Sequence, residues 1–210
     1  MCSVVFEEIT IPKESVLASF STGHQHSITF WDIKRRIRLK SFSSPARLFS
    51  IAVSLDVPNL VVAGSSREVI VFGEDSLDPT ALFGFRRASS YGREIWSVDV
   101  SPGGSKFLGS GPDGAIMIWG RDGPADSMQR LGTLEGHKTA VITAKFTEDS
   151  ERIISGSADA EVRVWDLKSG RSHVLVKEGM GKTIRPLLSR RGEYVAISRR
   201  RGIDIWSCRG

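Results

Sequence analysis

Residues 140–176 read AVITAKFTEDSERIISGSADAEVRVWDLKSGRSHVLV. Apolar and β-branched residues alternate in four runs, AVITAKF, RIISGS, EVRVWDL and RSHVLV, separated by TEDSE, ADA and KSG. A period of two between short clusters of turn formers predicts strands joined by tight turns, here a four-stranded antiparallel meander. The same grammar recurs upstream as EIWSVDV, SPGGS, KFLGSG, PDG and AIMIW, and downstream as TIRPLLS, RRGE, YVAIS, RRRG and IDIW.

The third run of each unit ends on a fixed mark. ITFWD, VIVFG, IMIWG, VRVWD and IDIWS place an aromatic residue at 31, 72, 119, 165 and 206, with Phe72 standing where the others have tryptophan. The steps are 41, 47, 46 and 41 residues, close to the ~40–45 of a four-stranded propeller blade. Apolar residues on both faces of the strands argue for sheets stacked on sheets, and no segment reads as a long helix. The units run approximately over 1–44, 45–88, 89–135, 136–178 and 179–210, within one domain.

The chain therefore resembles the WD40-repeat β-propeller family over nearly its whole length. The fold class this implies is all-β, a propeller of about five four-stranded antiparallel blades. The fourth unit carries Gly136-His137 before its first strand, Ser157 and Asp159 at the second turn, and Trp165-Asp166 closing the third strand. In the family, residues of these types form a structural hydrogen-bond network, which the resemblance places on His137, Ser157, Asp159 and Trp165. An aspartate in the turn that accepts from the histidine ring satisfies a buried polar cluster and fixes the blade edge. Other units depart: the third keeps Asp113 and Trp119 but has Gly111 at the serine position and Tyr91 near the histidine position. The second has Ser66 for the turn aspartate, the first has the longer turn TGHQHS, and the last has Arg199, Arg200 and Arg201.

The first unit begins with its innermost strand, SVVFEEI, and the last stops after its third, which makes nineteen expected strands. Three outcomes stay open: a closed five-blade ring, an open ring completed by a partner or a second copy, and an incomplete sequence. An unsealed ring exposes sheet edges and an apolar face, both of which invite another chain.

Composition limits the function classes. The 210 residues carry 29 basic and 24 acidic side chains, a net charge of +5, with 40% hydrophobic residues, which excludes a disordered tail or a fibre. No apolar run approaches the ~18 residues of a membrane helix, and MCSVVFEEITIPK lacks the features of a signal peptide, so no membrane insertion and an intracellular location, cytoplasmic or nuclear, are expected. Cys2 and Cys208 are too few for a disulfide framework or a cysteine-paired zinc site and read as reduced thiols.

Several motifs offer chemistry and fail on context. His137, Ser157 and Asp159 are triad residue types, but SGSAD is a strand end without the strained G-x-S-x-G turn of a nucleophile. GSGPDG, at 109–114, precedes a strand and not a helix, and GMGKT, at 179–183, has Val176 where a phosphate loop requires glycine. His24 and His26 have no third metal ligand. The expectation is a chain that is not an enzyme and uses no cofactor or metal.

What remains is a binding surface. Turns that gather on one face of such a propeller hold Arg86, Arg87, Tyr91, Arg93, Lys138, Lys182, Arg185, Arg199, Arg200 and Arg201, beside His137. From Thr183 to Gly210 seven arginines face only Glu193 and Asp204, so this end carries the whole excess of positive charge. Arginine forks fit carboxylates and phosphates, and an acidic or phosphorylated peptide is the first expected partner of a protein-interaction scaffold. A nucleic-acid or ribonucleoprotein role ranks second, because Tyr194 is the one aromatic near the arginine run and belongs to a strand.

Overall fold

The computed structural model describes residues 6–10, 15–21, 26–44, 46–54, 56–57, 60–66, 69–72, 94–121, 128–158, 161–177, 187–189, 193–199 and 202–207. Among these residues there is no helix, and eighteen strands form five antiparallel sheets in chain order. The first holds β1 (Phe6–Thr10), β2 (Ser15–Ser21), β3 (Ser27–Asp32) and β4 (Ile37–Ser43). The second holds β5 (Leu48–Val53), β6 (Val61–Ser65) and β7 (Val69–Phe72). The third holds β8 (Ser97–Val100), β9 (Lys106–Ser110), β10 (Ile116–Arg121) and β11 (Met128–Leu134). The fourth holds β12 (Val141–Phe146), β13 (Arg152–Ser157), β14 (Glu161–Asp166) and β15 (Ser172–Lys177). The fifth holds β16 (Leu187–Leu188), β17 (Tyr194–Arg199) and β18 (Gly202–Ser207).

Each strand pairs with its chain neighbour, the meander that the turn spacing requires. The fourth strand expected in the second unit falls within 73–93, outside the described residues, so eighteen strands are seen where the sequence leads one to expect nineteen.

Four apolar cores join the sheets in series. Phe20, Ile28 and Phe30 of the first sheet share a core with Leu48, Ile51, Val61, Ala63 and Ile70 of the second. Leu60, Val62, Val69 and Val71 of the second unit meet Val98, Phe107 and Trp119 of the third. Leu108, Ile116 and Ile118 meet Val141, Phe146, Ile153 and Trp165, and Ile154, Val162, Val164 and Val176 meet Val195. Strand alternation therefore gives every sheet two different faces. One carries the third-strand tryptophan and turns to the preceding sheet, as Trp119 and Trp165 do. The other carries the residues flanking that tryptophan and turns to the next sheet, as Ile116 and Ile118 or Val162 and Val164 do.

Polar links run beside these cores. The Val98 amide donates to Ser50 Oγ at 3.3 Å, and one repeat later the Ala144 amide donates to Ser97 Oγ at 3.2 Å. The Phe146 amide donates to Asp99 Oδ2 at 2.7 Å, and the Val141 amide donates to the Gly111 carbonyl at 2.9 Å. Innermost strands of successive sheets are thus joined by serine and aspartate side chains together with a backbone bond at the strand end. The ring is not closed: the last sheet leaves Leu187, Tyr194, Ile203 and Ile205 exposed.

Candidate functional site

The polar cluster of the fourth sheet is built by register. Trp165 on β14 lies opposite Ile153 on β13, so Ser155, two residues along, projects from the same face. Trp165 donates its indole N–H to Ser155 Oγ at 2.7 Å, and His137 Nε2 lies 2.7 Å from the same oxygen. The two rings meet edge to face with centroids 5.8 Å apart. The hydroxyl accepts from the indole and, with a second lone pair and its own hydrogen, can accept from or donate to His137 Nε2 according to the imidazole tautomer.

The hydroxyl joining the two rings is that of Ser155, where the sequence pattern points to Ser157; Ser157 is buried at the strand end. Asp159 lies outside the described residues. Cross-strand register is the signal that finds Ser155, and the first sheet repeats it: Trp31 lies opposite Leu17, and its indole donates to Ser19 Oγ at 3.0 Å. In the third sheet Gly109 holds the same register, and a Cβ there would stand 3.1 Å from the Trp119 ring. Ring packing has replaced the hydroxyl in that sheet.

Gly136 has its own steric reason. A Cβ on it would come within 3.0 Å of the Arg163 guanidinium and 3.2 Å of the Trp165 ring. Arg163 pairs with buried Glu161 at 2.9 Å and lies over Trp165 at 5.9 Å from the ring centroid, so the indole is enclosed by a satisfied ion pair.

A serine 2.7 Å from a histidine has the contact of an activated nucleophile, but here it serves packing. Ser155 is 0% exposed and already accepts from Trp165, so a substrate carbonyl has no path to its oxygen. Among the described residues no three metal-ligating side chains gather.

The Trp-Asp pair also organises the following turn. Asp166 Oδ1 accepts from the Ser169 amide and hydroxyl, both at 2.7 Å, and these bonds hold its carboxyl below the usual carboxylate range. Asp32 does the same for the Arg35 amide at 2.9 Å.

Of the basic candidates, Lys138 is exposed immediately after buried His137, at the loop entering the fourth sheet. Arg199 ends β17. Arg86, Arg87, Tyr91, Arg93, Lys182, Arg185, Arg200 and Arg201 lie outside the described residues. Among the described residues no helix is long and apolar enough to cross a membrane.

Comparison with known proteins agrees with this geometry. The profile of the WD domain, G-beta repeat, matches residues 86–120 and 128–166, the third and fourth units. The chain is 32% identical over 83 residues to eukaryotic translation initiation factor 3 subunit I of Pyricularia oryzae, covering 40% of this chain and 23% of that protein. It is 25% identical over 166 residues to the U3 small nucleolar RNA-associated protein 15 homolog of Xenopus tropicalis, covering 79% and 29%. It is 28% identical over 119 residues to WD repeat-containing protein 1 of Xenopus tropicalis, covering 56% and 19%. The chain spans from 10% to 31% of the length of such relatives. The third and fourth units thus carry WD40 repeats, and the successive antiparallel meanders and indole-to-serine braces are consistent with a WD40 propeller.

Proposed function

We propose that the chain is a non-catalytic protein-interaction scaffold that works as a subunit of a larger assembly inside the cell. The observation that carries this reading is the burial of the one reactive-looking cluster, His137 and Ser155, beneath Trp165, with exposed Lys138 beside it at the loop face. Binding then falls to the loops. With Arg86, Arg87, Tyr91, Arg93, Lys138, Lys182, Arg185, Arg199, Arg200 and Arg201 on them, the preferred ligand is an acidic or phosphorylated peptide.

A second reading, a subunit associated with nucleic acid, draws on the +5 net charge and on a relative named for its association with U3 small nucleolar RNA. Fluorescence anisotropy separates the two, using an acidic peptide, its phosphorylated form and a single-stranded RNA as probes. The scaffold reading expects peptide binding that falls at least tenfold when Arg199, Arg200 and Arg201 are changed together to glutamate. Tighter binding of RNA than of either peptide, lost in the same variant, supports the second reading and rejects the first.

A further inference from the structure

The turn between β3 and β4 opens the densest run of positive charge in the chain: KRRIRLK, 34–40, holds five cations in seven residues. Lys34, Arg35 and Arg36, at the turn itself, are exposed. Their exposure belongs to the turn and not to the place of its sheet in the chain, because the same turn of the fourth sheet, which is packed on both faces, exposes Lys168, Ser169 and Gly170. Asp32 is the one acidic residue between Glu14 and Asp56, and it is buried. It lies 3.6 Å from Arg35 Nε, yet the Arg35 side chain stays 71% exposed. Among the described residues no carboxylate pairs with Lys34 or Arg36.

The two turns share one backbone plan. Asp32 accepts from the Arg35 amide at 2.9 Å as Asp166 accepts from the Ser169 amide at 2.7 Å, and the next residue is left-handed in both, Arg36 at φ of 56° and Gly170 at φ of 68°. The fourth sheet shows that Lys-Ser-Gly makes this turn without strain. The first sheet places Lys-Arg-Arg there, with an arginine in a conformation that disfavours every residue but glycine and, to a lesser degree, asparagine and aspartate. No described contact of the Arg36 guanidinium offsets that cost, so the side chain is of use to something outside the chain.

We propose that Lys34, Arg35 and Arg36 form a phosphate-binding tip that holds the backbone of a single-stranded nucleic acid. Guanidinium forks and an ammonium suit phosphate oxygens. Consecutive residues of a tight turn send their side chains in different directions, so a flat anionic membrane meets only part of the set. A flexible polymer with a charge on every unit can bend around the tip and meet all three cations. Contacts of this kind read charge and not base sequence. The proposal is independent of what the basic loops bind, since the turn shares no residue with them.

Fluorescence anisotropy of a labelled oligouridine, titrated with the 210-residue chain at several salt concentrations, tests it. Three phosphate contacts on a single strand give a slope of log affinity against log salt near about −2. Arg35→Ser with Arg36→Gly turns the first-sheet turn into the Lys-Ser-Gly of the fourth and relieves the backbone, so the variant folds at least as well as the wild type. It should bind at least fivefold more weakly, with a slope near about −0.7. Lys34→Glu, which leaves the left-handed position untouched, should weaken binding at least as much. Both losses should persist in a chain whose Arg199, Arg200 and Arg201 are already glutamate, which separates this site from the basic loops. Equal affinity of the wild type and the turn variants, or tighter binding of an oligoglutamate peptide or of anionic vesicles than of oligouridine, overturns the proposal.

Discussion

Trp165 reaches Ser155 across one strand gap, indole nitrogen to hydroxyl oxygen in 2.7 Å, and that same oxygen lies 2.7 Å from His137 Nε2. One hydroxyl thus meets Nε1 of a buried indole and Nε2 of a buried imidazole in the face that meets the preceding sheet. The tryptophan that shares a core with Leu108, Ile116 and Ile118 carries a polar N–H into that core, and Ser155 is what makes its burial tolerable.

Changing Ser155 to alanine leaves the indole N–H without its acceptor and the imidazole without its hydroxyl, both inside a junction. Leaving buried polar groups unsatisfied costs roughly 1–3 kcal/mol. Urea unfolding of Ser155→Ala should show a loss of that size with an unchanged m-value. A loss below about 0.5 kcal/mol, the range of ordinary surface changes, contradicts the bracing role.

Much of this was legible from the residues. Alternation and the spacing of the tryptophans fix the meander, because strand period and turn chemistry are local properties. The bracing hydroxyl was not, because Ser155 and Ser157 both stand in SGSAD on one strand face and only pairing with β14 tells them apart. An open ring was one of the outcomes the strand count allowed, but which side chains it exposes was hidden: Ile203 and Ile205 have the sequence of buried strand residues, and their exposure depends on what lies across a gap between sheets.

Gly111 stands where the fourth sheet has Ser157, and the structure gives the reason for the substitution. A Cβ on Gly111 would lie 2.1 Å from the Glu94 carbonyl oxygen, which belongs to backbone and has little room to yield. Restoring the family residue with Gly111→Ser should therefore destabilise the chain, by about 3 kcal/mol or more, as overpacking against backbone does. Gly132→Ala is the control, because nothing lies within 4 Å of its added Cβ and thermal melting should move little. Equal melting temperatures for the two variants would contradict the crowding at Glu94.

The turns after Trp31 and Trp165 share a geometry with different residues. Four positions beyond Asp32 and Asp166 the chain turns left-handed, at Arg36 with φ of 56° and at Gly170 with φ of 68°. A non-glycine residue in that region costs roughly 1–2 kcal/mol, part of which glycine returns through the entropy of the unfolded chain. Arg36→Gly should consequently raise stability by a few tenths to about 1 kcal/mol, and Gly170→Ala should lower it by about 1 kcal/mol. Calorimetry of both variants checks the pair, and a destabilised Arg36→Gly would show that its side chain, and not its backbone, matters there.

Two turn carboxylates make stability depend on pH in a defined direction. Partial burial pushes the Asp149 carboxyl up, but the Thr147 hydroxyl at 2.6 Å, the Glu151 amide at 2.9 Å and the nearby Arg152 charge outweigh it, leaving it below the ordinary 3.8. Asp166 is lowered by the Ser169 hydroxyl and amide. In both cases the folded state prefers the ionised form, so the unfolded chain binds more protons in acid and stability rises with pH. Their contribution is complete above the unfolded value near 3.8 and is lost as pH falls through the lower folded values. Urea unfolding at neutral pH and in acid should give a smaller loss of stability for Asp149→Asn and Asp166→Asn than for the wild type. A double variant that loses as much stability in acid as the wild type would place the acid sensitivity of the fold elsewhere.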